Sequence, residues 1–194
     1  MERLGEKQQR ILEETAKDHI FSAVIRVTQR SDTTDFTMQQ IANEAGMATG
    51  SLYRYFRDKD RLLTYVVERL VDMHRKRQDA IGNGPGPVLE RLEQLATSAF
   101  QFTSDYVLLF RIFDHRGLRN RFEEEDENHF ATEISQIRDI MAEGIAQGVL
   151  RRMDPLLMAR MFFASAISFF FVKPIFNEYS AEQLGQEVVR LFKA

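Results

Sequence analysis

The chain has 194 residues, 44% of them hydrophobic, with 26 Lys and Arg against 29 Asp and Glu for a net charge of −3. That is apolar material enough for one large domain or two small ones, and the near-balance of charge excludes a general polyanion-binding surface, so any nucleic-acid site is local. The absence of Cys removes disulfides, thiolate metal sites and Cys nucleophiles together, and fits a reducing compartment.

The opening MERLGEKQQR is too polar for a signal peptide, and the expected location is the cytoplasm. Only four Pro and ten Gly are present, and apolar residues recur at helical spacing almost everywhere, so the chain reads as all-α. A polar, helix-prone extension over residues 6–18 leads into a helix over 19–30, then a turn SDTTD, and three more helices follow. The stretch IGNGPGPVLERL, residues 81–92, must end one helix before Pro87 opens another, and divides the chain into residues 1–80 and 81–194. The front part holds 14 Lys and Arg against 13 Asp and Glu and the back part 12 against 16, so the positive lean lies in front.

Within the front part, Thr37 is a good N-cap, Gln40 stands at the N3 position of a capping box, and Phe36 with Ile41 occupy the staple positions. A helix therefore starts at Met38. It has room for two turns before Gly46, whose tolerance of positive φ lets the chain reverse. Ile41, Ala42 and Ala45 face inward, Met47 fills the turn, and Leu52 and Phe56 anchor a second short helix from behind. Two short helices at a steep angle joined by a tight Gly turn make a helix-turn-helix, whose second helix can enter the DNA major groove. The outward residues Thr49, Gly50, Ser51, Tyr53 and Arg54 suit that task. Gly50 permits close approach, Thr49 and Ser51 reach base edges or phosphates, and Tyr53 and Tyr55 offer hydroxyls to phosphate oxygens. Asp58 reads as the N-cap of the next helix, with Lys59 in its first turn as a phosphate anchor.

The run FTMQQIANEAGMATGSLYRYFRDKDRLL, residues 36–63, resembles the DNA-binding signature of the TetR family of transcriptional regulators. The resemblance implies an all-α fold: an N-terminal three-helix helix-turn-helix DNA-binding domain and a larger C-terminal helical domain for ligand binding and dimerisation. It implies that Thr37 and Gln39 touch the DNA backbone or its edge, that Ala48, Thr49, Gly50, Ser51 and Tyr53 sit in the groove, and that Tyr55 and Lys59 grip phosphates. Two positions depart from the family pattern. Ala48 stands where Ser or Thr usually opens the recognition helix, which predicts a cap shifted to Thr49, and Ser31 and Asp32 stand where Gly and an aromatic are common. In the extension, Glu2, Glu6, Glu13, Glu14 and Asp18 offset Arg3, Lys7, Arg10 and Lys17, so residues 1–18 read as a helical lead and not a DNA arm.

In the back part the spacing predicts helices over 87–104, 105–116, 122–147, 155–177 and 180–193, with Gly148 at a C′ position and Ser180 capping the last with Gln183. This part is rich in Phe. Phe100, Phe110, Phe113, Phe162, Phe163 and Phe169 are candidate walls for an apolar or aromatic effector, with Tyr106 and Arg111 as candidate polar contacts beside Asp114 and His115. The 155–177 helix is apolar nearly all round. Arg160 and Lys173 with Pro174 behind argue for a buried helix over a membrane span. With the amphipathic AEQLGQEVVRLF after it, the resemblance predicts a two-fold, four-helix homodimer interface and a palindromic double-stranded DNA operator. A repressor released by a small molecule is the expected function.

Other motifs carry less. EEEDE, residues 123–127, near His129 reads as a solvated helix start and not a metal site, because consecutive carboxylates point around a helix. His19, His74 and His115 lack partners at ligand spacing, the GNGPGP prolines remove the amides of a phosphate cradle, and no nucleophile elbow occurs. No catalysis, cofactor or metal is expected. Two other classes stay open on sequence alone: a helical carrier or enzyme keeping the helix-turn-helix as scaffold, and a partner-binding dimerisation module.

Overall fold

The computed structural model describes residues 4–30, 36–118, 123–168 and 178–194, with the backbone alone for Leu4, 123–130 and 167–168. Among them the secondary structure is helical: α1 Leu4–Arg30, α2 Met38–Glu44, α3 Thr49–Tyr55, α4 Lys59–Gly82, α5 Val88–His115, α6 Glu123–Ala146, α7 Pro155–Ser168 and α8 Ala181–Arg190. The fold divides into two compact units, Met1–Arg69 with Leu108–Leu118 and Leu70–Val107 with Arg119–Ala194, so α4 and α5 contribute to both.

In the first unit, α1 buries only its second half. Ile20, Ala23 and Val24 have no exposed surface, whereas Ile11 and Leu12 in the extension are 49% and 69% exposed. The extension is helical and solvated, laced by Lys17–Glu13 and Arg10–Glu14 pairs one turn apart. Asp18 at its end pairs with Arg69 of α4, whose guanidinium also lies over the Phe21 ring. Ile41 and Ala42 of α2, Leu52 of α3 and Leu62, Leu63 and Val66 of α4 complete the interior. The small Ala42 side chain keeps α2 close to its neighbours.

The second unit is built around Val88, Leu92 and Phe100 of α5, Met141 of α6, Met158 and Ala159 of α7, and Val189 of α8. Helix α8 crosses α5 at Gly185, where an added Cβ would lie 2.4 Å from Thr97 Oγ1 and 3.0 Å from the Thr97 backbone nitrogen. Only hydrogen fits there. The C-terminus is tied down by Arg151 N donating to the Phe192 carbonyl (3.0 Å) and Ala194 N to that of Val149 (3.2 Å).

One predicted break is absent. The two helices expected over 87–104 and 105–116 are the single helix α5. Nothing between them breaks a helix, and Thr103 Oγ1 donates to the Ala99 carbonyl while Gln101 donates to Asp105, bridging the junction. The acidic run opens α6 as expected. Gly148 takes φ +74°, and Val149 N reaches back to the Gly144 carbonyl to close α6. Ser180 and Gln183 form the expected capping box of α8. The helix expected over 155–177 is seen through Ser168, and its remainder lies outside the described residues. Among the described residues no helix is long and apolar enough to cross a membrane.

Candidate nucleic-acid interface

Every bond that shapes the helix-turn-helix is local. Thr37 Oγ1 accepts from Gln40 N (3.2 Å) and Gln40 Oε1 accepts from Thr37 N (2.7 Å), which is the expected capping box, and Phe36 and Ile41 are buried as its staple. At the other end Gly46 adopts φ +68°. Gly46 N donates to the Asn43 carbonyl (3.1 Å) and Met47 N to that of Ala42 (2.9 Å), a Schellman closure that turns the chain out of α2. Glu44 sits at the α2 C-terminus, where the helix dipole disfavours it. A hydrogen bond from Arg26, backed by Arg30, offsets this and holds its carboxyl below the usual range, so an α1–α2 clamp results.

Helix α3 begins differently. Its N-cap is Ala48 in extended backbone, with no side-chain hydrogen bond, and Thr49 is its first helical residue. The expected shift of the cap to Thr49 does not occur, because Ser51 N (2.8 Å) and Leu52 N (3.2 Å) both take the Ala48 carbonyl and fix the start there. Leu52 is fully buried, so the opposite face points outward. On that face Tyr53 is 50% exposed, Ala48 and Gly50 are exposed, and Thr49, Ser51 and Tyr55 are half-buried. Around Gly50 an added Cβ would meet nothing within 4 Å, so the backbone there is open to close approach. Gln39 is exposed on α2 beside the exposed Thr37, whose hydroxyl is engaged in the cap.

Lys59 is tied in a way the sequence does not show. Its Nζ donates to the Phe36 carbonyl (2.6 Å) and sits 4.2 Å from the Phe36 ring centroid, so it pins the start of α4 to the start of α2. The neighbouring acids are absorbed within the unit. Asp58 caps α4 by accepting from Arg61 N (2.8 Å), and Asp60 pairs with Arg116. That leaves exposed Arg54, Arg57 and Arg61 to set a positive local field, which is the electrostatic footprint phosphate binding needs.

The expected effector residues fall in both units. Phe110, Arg111 and Phe113 belong to the first unit, with Phe113 buried and Arg111 exposed. Phe100, Tyr106, Phe162 and Phe163 belong to the second. There Phe100 and Phe162 are buried in the core, with Phe163 packed beside them. Tyr106 is half-buried edge-on to Phe102, 5.2 Å between centroids, and burial raises its hydroxyl pKa. Phe169 lies outside the described residues.

His74, which the sequence sets aside for want of a partner at ligand spacing, has a defined place. Its ring stacks on Phe102, 4.2 Å between centroids at 15°, and burial, with the charge of Arg77 second, pushes its pKa down to about 4. The signal was present: Leu70, His74 and Gln78 share the inward stripe of α4, which places two polar side chains at core spacing. Glu133 of α6 is half-buried, and burial with the nearby Asp79 pushes its pKa up to about 7. Among the described residues no cluster of His, Asp or Glu is arranged to hold a metal ion.

Comparison with known proteins places this geometry. Residues 20–66 match the family described as bacterial regulatory proteins, tetR family. A helix-turn-helix-type transcriptional regulator of Haemophilus influenzae is 28% identical over 88 residues, covering 45% of this chain and 47% of that protein. One from Staphylococcus aureus is 33% identical over 84 residues, covering 43% of this chain and 40% of that protein. The chain thus spans about half the length, or less, of these curated relatives. Among solved structures, a TetR/AcrR-family regulator from Thermobifida fusca superposes with a TM-score of 0.71 at 22% identity, covering 90% of this chain and 94% of that one. The structure of AibR in complex with isovaleryl coenzyme A and operator DNA superposes with a TM-score of 0.66 at 17% identity, covering 91% and 97%. At such identities the likeness is one of fold. The relatives matched in sequence are regulators, not enzymes.

Proposed function

We propose, from the match of residues 20–66 to the tetR family and the shared fold, that the chain is a TetR-family repressor which binds a palindromic DNA operator as a homodimer and is released by an apolar or aromatic small molecule. The observation that carries the reading is the uncapped, outward face of α3, with Tyr53 exposed, Gly50 open and Leu52 holding it from behind. In this reading Ala48, Thr49, Gly50, Ser51 and Tyr53 enter the groove, Thr37 and Gln39 meet the DNA backbone or its edge, and Tyr55 and Lys59 grip phosphates. Residues 1–80 serve DNA binding and residues 81–194 effector binding and dimerisation, with the end of α4 from Leu70 onward packed in the second unit and able to serve the effector part.

A two-fold dimer sets two α3 helices about one DNA turn, ~34 Å, apart and so reads a palindrome. The exposed Leu156, Leu157 and Met161 on α7 support such a partner surface. An effector acts by binding the DNA-free state more tightly than the DNA-bound one. AibR, which shares the fold, has been captured with both a small molecule and operator DNA, and that supports the two-ligand reading here.

Selection of duplexes from random DNA by the purified protein, with and without small molecules from cell extract, tests this. A two-fold-symmetric sequence should emerge and be released by the extract; failure of any symmetric sequence to emerge contradicts the reading.

A further inference from the structure

The second unit holds a polar cluster with an unfilled hydrogen-bonding valence. Gln78 is 3% exposed, and its amide nitrogen donates to the Leu95 carbonyl of α5 (3.3 Å) and to His74 Nε2 (3.2 Å). A carbonyl cannot donate, so Leu95 fixes which end of the amide is nitrogen, and both amide hydrogens are used. The His74 proton accordingly sits on Nδ1. Gln78 Oε1 is left buried with no partner. Ser98, 4% exposed and one helical turn beyond Leu95, also has an Oγ with no partner. Such oxygens are rare in native interiors, because each has given up its water for nothing.

Both oxygens are buried and unpartnered, with Ser98 one turn along α5 from the carbonyl that Gln78 reaches, and one turn further along α5 stands Phe102, stacked on His74 with Tyr106 against its edge. One is an acceptor only, and the other donates or accepts. Among the described residues no charged side chain bonds to Gln78 or Ser98, so an ion would be buried without compensation and a neutral molecule fits.

Building on the effector reading above, we infer that Gln78 and Ser98 recognise a neutral ligand with a planar apolar body and one hydroxyl group. The ligand hydroxyl donates to Gln78 Oε1 and accepts from the Ser98 hydroxyl, while the body packs among Phe102 and Tyr106. A methyl ether of the same shape can still accept from Ser98 but leaves Gln78 Oε1 unfilled, and a halide leaves both oxygens unfilled.

Titration of the full chain with two near-isosteric pairs tests this: phenol against fluorobenzene, and 2-naphthol against 2-fluoronaphthalene. In at least one pair the hydroxyl compound should bind about tenfold tighter. Gln78→Met should shrink that preference to within about twofold, and Ser98→Ala, which removes a single atom, should reduce it by a smaller factor. Should Gln78→Met not unfold cooperatively, the Ser98→Ala result decides. Equal binding within the pairs, or a preference untouched by both substitutions, overturns the inference and leaves the effector reading standing. Binding by neither pair overturns it as well; the effector reading then falls only if extract small molecules also fail to release selected DNA.

Discussion

The helix-turn-helix and the α4–α5 layer of the second unit handle polar groups in opposite ways. Around α2 and α3, polar groups are satisfied by neighbours a few residues off: Thr37 by Gln40, Met47 by Ala42, Asp58 by Arg61. In the α4–α5 layer, His74, Gln78 and Ser98 sit inside with valences unfilled or protonation suppressed. Local closure makes a rigid element that can present a fixed face to a rigid duplex. An incompletely satisfied interior leaves binding energy for a partner to supply.

Overfilling the second unit should give the largest effect. Gly185→Val places side-chain atoms where a Cβ already meets Thr97 at 2.4 Å, and should cost roughly 3 kcal/mol in urea unfolding. Because the contact lies within the α5–α8 crossing, Thr97→Ala should recover part of the loss.

Acid comes next. Folded His74 takes up a proton only near pH 4, while the unfolded residue does so at 6.5. Lowering the pH through 6.5 therefore protonates the unfolded chain first and drains stability, by about 2 kcal/mol on reaching pH 5. Glu133 acts in the opposite sense, since its raised pKa of about 7 gives stability below neutrality that is lost as the pH rises through 7. Comparison of wild type with His74→Gln across pH 5 to 7.5 cancels the Glu133 contribution. The variant should lack the His74 part of the acid loss, and parallel curves would show that the ring is not held neutral.

The smallest effects lie at the starts of the two short helices. Thr37→Ala should cost ~1 kcal/mol by removing the α2 cap, and Ala48→Ser should stabilise by about 0.5–1 kcal/mol by supplying the one α3 lacks. Thermal melts of the pair decide. Equal signs would mean that the α3 start is already satisfied by other means.

The sequence makes the helix-turn-helix legible because its signals act over three to five residues: cap, N3 partner, staple and Gly turn are all in view at once. It hides what depends on distant partners. Lys59 reads as a free anchor, yet its amine is held by a carbonyl 23 residues upstream. The break expected near residue 104 is absent, since Thr103 and Asp105 bond along the helix, Thr103 donating to the Ala99 carbonyl and Asp105 accepting from Gln101. His74 and Gln78 were visible as polar residues on an apolar stripe, but their pairing with Phe102 and Leu95 is a tertiary fact.

The most direct test of the proposed DNA-reading face is Tyr53→Ala, measured against a selected operator. Tyr53 is half exposed, beside the buried Leu52 on α3, so the substitution should leave the melting temperature within about 1 °C. The account predicts a loss of operator affinity of about tenfold or more at fixed salt. Unchanged affinity in a fully folded variant would contradict the assignment of α3 as the recognition helix.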